Sequence, residues 1–255
     1  SYEKRISEFE EKPPQPRSNL ASMGIYIFSW KALKESLLAL KDQSNCDFGK
    51  HVLPYLHEKG SPMYAYEFNS YWKDVGTLGS YWEANMELID LIPEFNLYEE
   101  FWKIYTNQNI IEPQFVASSA VVEKAIIGAG AQIYGEVYNS VLGAGVVIEE
   151  GTVIRDSIIM EGVTIGKNCV IDKSIIAENT VVGEGTGIGQ GEEAPSKLNA
   201  SIYGFGLAVI GENSTIPAHV TIGKNTAIKG ETSDADYPDG QLASGGYIIK
   251  AGDRL

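Results

Sequence analysis

Residues 142–188 read LGAGVVIEEGTVIRDSIIMEGVTIGKNCVIDKSIIAENTVVGEGTGI. Aliphatic side chains recur at Leu142, Ile148, Ile154, Ile159, Ile165, Ile171, Ile176, Val182 and Ile188, in steps of six, six and five, so the pattern closes every 17 residues. After an interruption it resumes at Ile210, Ile216, Ile222 and Ile228. A helix repeats every 3.6 residues and a strand every two; this period fits neither and describes a coil with three flat sides. Three positions after each six-step aliphatic stands a glycine or asparagine: Gly130, Gly145, Gly151, Gly162, Asn168, Asn179, Gly185, Gly191, Asn213 and Asn225. These residues tolerate the left-handed backbone of a tight corner. The five-step sides carry Ser157 and Ser174 instead. The inward aliphatics are largely β-branched, as stacked parallel strands require.

Hexapeptide repeats of this form resemble the left-handed parallel β-helix family, which is the fold expected over residues 113–255. Residues 190–208 (QGEEAPSKLNASIYGFGLA) interrupt the rhythm and are expected to project as a loop. The end of such a coil leaves an exposed strand edge, and Ser244 to Lys250 is positioned to add a closing strand. A scaffold of this kind carries or assembles an active site held elsewhere, so the chemistry is sought upstream.

Length and composition set outer bounds. At 255 residues two domains are expected. Acidic residues outnumber basic ones by 34 to 20, a formal charge of −14, which argues against nucleic-acid or anionic-membrane partners. No apolar run reaches the roughly 18 residues of a membrane span and no signal peptide is recognisable. Cys46 and Cys169, far apart in sequence, read as buried free thiols of a reducing, cytoplasmic protein.

The first half alternates strand-like and helix-like stretches, implying an α/β layer too short to be complete. Ile6 to Glu10, Ala21 to Phe28, Met63 to Phe68 and Tyr71 to Val75 read as strands, Ala21 to Phe28 as a buried one. Lys31 to Leu40 and Asp47 to His57 suit helices, with Pro54 a weak point in the second. Thr77 caps a third helix whose apolar face uses Leu78, Tyr81, Trp82, Leu88 and Ile89. Glu11 and Lys12 place a hydroxyl acceptor beside a phosphate-binding cation. Asp74, between two aromatics and Gly76, can hold Mg²⁺ where a glycine admits a ligand. On residue type alone each of these charges reads first as solvated surface, and Asp47 first as a helix cap.

Four motifs in one order tip that balance: Glu11-Lys12-Pro13, Ser22-Met23-Gly24-Ile25-Tyr26, Asp47-Phe48-Gly49-Lys50 and Tyr71-Trp72-Lys73-Asp74-Val75-Gly76-Thr77. Together they resemble the ADP-glucose pyrophosphorylases. The Glu-Lys-Pro element is shared by many sugar-phosphate nucleotidyltransferases; the YWKDVGT and DFGK strings are more specific. The resemblance implies a partial α/β nucleotidyltransferase domain over residues 1–112, linker included, ahead of the β-helix. It implies formation of ADP-glucose and pyrophosphate from ATP and glucose 1-phosphate around Mg²⁺, in glycogen or starch synthesis. Lys12 then contacts the sugar phosphate, Glu11 accepts hydrogen bonds from glucose hydroxyls, and Ser22 and Asp47 line the sugar pocket. Trp72 supports the wall and Asp74 is the metal ligand, with Lys12 and Asp74 counted as catalytic. Assembly as a homotetramer or hetero-oligomer through the β-helix, with allosteric control, is also implied.

The glycine-rich nucleotide-binding loop of that family does not occur in these residues. The expectation is therefore a C-terminal portion with the sugar side of the site and without the ATP side, inactive alone. Two rival expectations are a catalytically silent regulatory subunit and a hexapeptide acyltransferase using His219. The acyltransferase requires acetyl-CoA binding, whereas His219 also fits the corner slot three residues after Ile216.

Overall fold

The computed structural model describes residues 4–97, 99–103, 105, 111–250 and 252. They fall into two units, residues 1–70 and 71–255. In the second unit the 17-residue rhythm is a parallel β-helix. One face stacks Phe115–Val116, Gln132–Ile133, Val147–Ile148, Thr164–Ile165, Val181–Val182 and Thr215–Ile216. The other two faces form one continuous sheet, joined where Val121–Ile127 and Glu136–Leu142 bend around a corner. Parallel registers place each inward aliphatic on the next: Ile148 on Ile165 on Val182, Ile154 on Ile171 on Ile188, Leu142 on Ile159 on Ile176. All of these are at most 1 % exposed and belong to one core cluster.

The expected corners are left-handed. Gly130, Gly145, Gly151, Gly162, Gly185 and Gly191 have φ between 66° and 80°, and Asn168, Asn179, Asn213 and Asn225 between 53° and 56°. His219 shares this geometry at 61°, and its N–H donates to the Glu184 carbonyl at 2.8 Å, which favours its corner reading over a catalytic one. The five-step corner works differently. There the left-handed residue stands one place before the serine: Asn139, Asp156 and Lys173, at 44°, 48° and 40°. Buried Ser140, Ser157 and Ser174 then form a ladder, the Ser157 N–H donating to Ser140 Oγ and the Ser174 N–H to Ser157 Oγ, each at 3.1 Å. Their hydroxyls donate to the Tyr138, Arg155 and Asp172 carbonyls, so no group in the ladder is left unpaired.

Residues 191–207 leave the stack without forming strands, and Ile176 pairs with Ile210, 34 positions on and twice the repeat. The expected projecting loop is instead laid against the coil. The Lys197 N–H donates to the Gly245 carbonyl at 2.8 Å, while Asn225 receives the Gly206 N–H and donates to the Ala194 carbonyl. Leu207 is buried with Ile158 and Ile175 in a second cluster outside the coil.

That cluster receives a helix. Thr77 caps α3 (Leu78–Glu87) through a reciprocal box with Ser80, and Leu78, Tyr81, Trp82 and Met86 pack on Ile158, Ile175 and Leu207. The Trp82 indole N–H donates to the Asp156 carbonyl at 2.6 Å, Lys173 Nζ sits 5.4 Å over the ring, and Phe205 of the insertion lies on Gly79. At the far end Tyr247–Ile249 adds the closing strand on Ala227–Lys229, as expected. Tyr237 plugs the coil there, 2 % exposed, its hydroxyl 2.9 Å from Thr232 Oγ1.

The first unit contains less strand than its sequence suggests. Lys4–Arg5 pairs antiparallel with Tyr64–Ala65, and Ile6 adds one hydrogen bond to Met63; Ile6–Glu10 and Met63–Phe68 are otherwise irregular. Ala21–Phe28 forms no strand, and Ile25 and Ile27 are 73 % and 99 % exposed. A buried strand needs backbone partners on its edges, and no described residue supplies them. Helix α1 (Trp30–Ala39) forms as read, capped by Ser29. The second helix opens with a wide turn at Phe48–Val52 and continues as α2 (Leu53–Glu58), whose first turn accommodates Pro54. Cys46 is exposed rather than buried; Cys169 is buried in the coil.

Ile171→Ala is expected to destabilise the coil by about 2–5 kcal/mol, because the stacked layers above and below cannot collapse into the cavity; chemical denaturation followed by circular dichroism checks this. Burial pushes the Tyr237 phenol up to about 12, against about 10 for a free tyrosine. Its stabilisation is full below pH 10 and is lost as pH climbs towards 12, by about 2–3 kcal/mol. Tyr237→Phe is expected to remove that alkaline slope, and an unchanged slope counts against the assignment.

Candidate functional site

In the first unit, backbone geometry singles out the Glu11-Lys12 pair. Lys12 has φ of 48°, a left-handed conformation that non-glycine residues adopt only when their surroundings impose it. Its side chain is exposed and makes no hydrogen bond or ion pair with the described residues. The turn lays the Glu11 carboxylate against the Cα of Gly49, where any β-carbon would overlap it, and Asp47 Oδ1 would stand 3.4 Å from the same carbon. The absence of a β-carbon at Gly49 is what lets the flexible Glu11 carboxylate rest there.

Asp47 opens the wide turn after it. Its Oδ1 accepts the Lys50 N–H at 2.8 Å, and its carbonyl accepts from both His51 and Val52. The Lys50 amide holds the Asp47 carboxyl below the usual carboxylate range. The Asp47 N–H in turn meets His51 Nδ1 at 3.0 Å. Ser22 donates its hydroxyl to Tyr26 Oη at 3.0 Å and accepts the Gly24 N–H. The Tyr26 ring stacks on Phe48 with centroids 6.0 Å apart, and Phe28 lies 5.7 Å from Phe48. Glu11, Ser22 and Asp47 therefore converge about Phe48-Gly49, with Lys12 beside them in sequence.

In the second unit, Tyr71–Thr77 forms no strand, contrary to the strand expected over Tyr71 to Val75; side-chain contacts to α3 fix it in place of a ladder. Burial nonetheless alternates. Tyr71 and Lys73 are half-buried, while Trp72, at 46 %, and Asp74 are exposed. The Tyr71 hydroxyl donates to Glu87 Oε2 at 2.7 Å, and Lys73 Nζ reaches Glu87 Oε1 at 2.7 Å and Glu83 at 3.2 Å. The Tyr71 ring stacks on Phe95, so its packing role is real. These bonds hold Lys73 above its ordinary pKa, through Glu87 first and Glu83 second, and hold Glu87 below its own, mainly through Lys73. Glu87 also raises the Tyr71 phenol.

Asp74 Oδ1 accepts the Gly76 N–H at 2.9 Å, closing a small turn ahead of the α3 cap. Its other oxygen has no partner among the described residues. No three His, Cys, Asp or Glu side chains gather into a metal site among the described residues. Asp74 fits the single protein carboxylate of a cation site that substrate phosphates and water complete, which is the usual habit of Mg²⁺.

Three participants were not legible as such in the sequence: Gly49, Phe48 and Glu87. The signal for Glu87 was present, in Glu83 and Glu87 spaced i, i+4 on a capped helix that follows a Tyr-x-Lys pair. Gly49 and Phe48 stood inside a quoted motif, but the contacts that give them meaning link segments far apart in the chain.

Comparison with known proteins places these features in context. Residues 1–90 match the "Nucleotidyl transferase" family, and residues 112–202 match "GlmU-like, C-terminal hexapeptide". The chain is 69 % identical over 249 residues to the "Glucose-1-phosphate adenylyltransferase" of Lachnospira eligens, 51 % over 248 residues to that of Thermotoga maritima, and 43 % over 251 residues to that of Acetivibrio thermocellus. These alignments take in 98 %, 96 % and 98 % of this chain. The chain spans about 59 % of the length of the curated relatives it matches.

Removing the Asp47 cap has a local signature. Asp47→Ala is expected to cost the turn about 1 kcal/mol and so to speed amide exchange over residues 50–53 about fivefold. Unchanged exchange there shows that the cap carries no weight.

Proposed function

We propose that this chain carries the sugar-phosphate side of a glucose-1-phosphate adenylyltransferase, the enzyme that joins ATP and glucose 1-phosphate into ADP-glucose and pyrophosphate in glycogen or starch synthesis. The observation that supports this most is similarity running without a break through both matched segments, 69 % over 249 residues. On this reading residues 1–112 are the nucleotidyltransferase portion with its linker, and 113–255 are the β-helix. On the same reading ATP binding requires a glycine-rich loop that does not occur in these residues, and no transfer is expected from this chain alone.

The chemistry follows from the side chains. A phosphate oxygen of glucose 1-phosphate attacks the α-phosphorus of ATP and pyrophosphate leaves, a step governed by positioning and charge neutralisation. Lys12, unpaired and exposed among the described residues, anchors the sugar phosphate as a point charge. Glu11, held on Gly49, accepts hydrogen bonds from glucose hydroxyls, with Ser22 and Asp47 completing the pocket wall. In the second unit, Trp72 presents an exposed ring for substrate binding. Asp74 would hold Mg²⁺, its carboxylate having one oxygen without a partner among the described residues, and the ion would supply charge neutralisation at the transferring phosphate. The same reading carries cytoplasmic location, allosteric control, and assembly of identical or related subunits through the β-helix.

Pyrophosphate release from ATP, Mg²⁺ and glucose 1-phosphate is expected to be absent with this chain alone and present when the remaining length found in the relatives is joined to it. Silence in both forms favours a regulatory subunit, and activity in the chain alone overturns the assignment of the ATP site. In the complete enzyme, Lys12→Ala is expected to raise KM for glucose 1-phosphate about 10- to 100-fold, the loss of one charged hydrogen bond. Asp74→Asn is expected to lower turnover by at least about tenfold. An unchanged KM removes Lys12 from the site, and wild-type turnover ends the metal assignment.

A further inference from the structure

Glu87 makes contacts that no part of the chemistry above requires. One carboxylate engages two side chains of the same short segment, one oxygen to each: the Tyr71 hydroxyl on Oε2 and the Lys73 ammonium on Oε1, both at 2.7 Å. Lys73 also reaches Glu83 at 3.2 Å, one helical turn earlier on the same face of α3. Tyr71 is braced from its other side by the Phe95 ring, 5.6 Å away. The two gripped residues are i and i+2, so the residues between and after them, Trp72 and Asp74, are turned the opposite way and stand exposed. Downstream, the Gly76 N–H is bound by Asp74 itself, and Thr77 is locked by its box with Ser80. Asp74 is thereby fixed from both sides in a segment with no strand ladder to hold it.

The grip is anchored. Helix α3 is packed on the second apolar cluster and tied by Trp82 to the Asp156 carbonyl of the coil, so Glu87 stands on a rigid support. A surface ion pair alone is worth little. A carboxylate bridging two donors of one segment acts through geometry, because losing it frees the segment to rotate about its axis and swing Asp74 away.

We propose that Glu87 is a positioning residue for Asp74: by clamping Tyr71 and Lys73 to α3 it aims the Asp74 carboxylate outward, ready to receive a divalent cation. The inference rests on the adenylyltransferase reading for the role of Asp74, but the clamp itself is tested without that reading.

Two measurements test it. In this chain, Glu87→Ala is expected to lower the backbone NMR order parameters of residues 72–75 from about 0.85 to below about 0.6 while leaving the coil at 148–188 at wild-type values. In the complete enzyme the same change is expected to raise the Mg²⁺ concentration for half-maximal rate about tenfold, with KM for glucose 1-phosphate within about twofold of wild type, and Glu87→Gln, which keeps one acceptor, to fall between. The double variant Tyr71→Phe, Lys73→Met releases the clamp from the segment side, leaves α3 whole, and should reproduce both effects. Wild-type order parameters at 72–75 overturn the clamp. Lowered values there with an unchanged Mg²⁺ requirement overturn its link to Asp74. Lowered values throughout the coil, in the double variant as well, make Glu87 a general stability residue and overturn the proposal. A complete wild-type enzyme that forms no ADP-glucose instead defeats the adenylyltransferase reading, and the order parameters then still decide the clamp.

Discussion

Parallel pairing between coils is the constraint on which the second unit depends. Each turn of 17 residues must bring its strands into register with the turn before, because the strand backbone inside the stack finds its partners one coil away. A slip of one residue would point Ile154, Ile171 and Ile188 outward and their polar neighbours in. The corners enforce the count. Glycine or asparagine at the six-step corners, and Asn139, Asp156 and Lys173 at the five-step corner, take the left-handed geometry that turns the chain within one residue. Where the chain inserts residues 191–207, it does so for one whole repeat length, so Ile210 lands on Ile176 and the register survives.

That rigidity is what the helix α3 borrows. An isolated ten-residue helix is marginal in water, yet α3 has an apolar face to bury and finds Ile158, Ile175 and Leu207 waiting outside the coil. The five-step corner serves both tasks at once. Its Asp156 takes the left-handed conformation, accepts the Trp82 indole N–H through its carbonyl and bonds Asn139 through its carboxylate. Lys173, at the same place one coil later, lies over the Trp82 ring. The insertion closes the other side with Phe205 on Gly79. Order thus passes from the coil to α3, and from α3 through Glu87 to the segment that carries Asp74.

The coil was legible in the sequence because its physics is periodic: a residue type at a fixed spacing reports a backbone geometry directly. The capped helix at Thr77 and the corner role of His219 were readable for the same local reason. What failed were inferences whose partner the local sequence does not name. Ala21–Phe28 has the composition of a buried strand, but composition cannot supply the partner that makes one, and Ile27 stands exposed. The insertion looked like a projecting loop because its polar residues conceal Leu207 and Phe205, whose partners are distant in sequence. Glu11 and Asp47 were each readable as solvated charge; their convergence on Gly49 is a tertiary fact. The segment at Tyr71 was expected as a strand; its burial alternates over residues 71–74, but α3 side chains and not a strand ladder impose it.

Electrostatics sharpens the reading of Lys12. A chain of net charge −14 repels phosphorylated ligands at long range, but at physiological salt that field is screened beyond about 8 Å. Any attraction for an anion then falls to contacts made within that distance. Several lysines of the chain are already engaged: Lys4 by Glu67, Lys73 by Glu83 and Glu87, Lys124 by Asp90, Lys167 by Glu150. Lys12 is exposed, unpaired among the described residues, and held by a left-handed turn that turns its neighbour's carboxylate onto Gly49 instead of onto its own ammonium. The backbone at residue 12 thus keeps this cation apart from the neighbouring carboxylate.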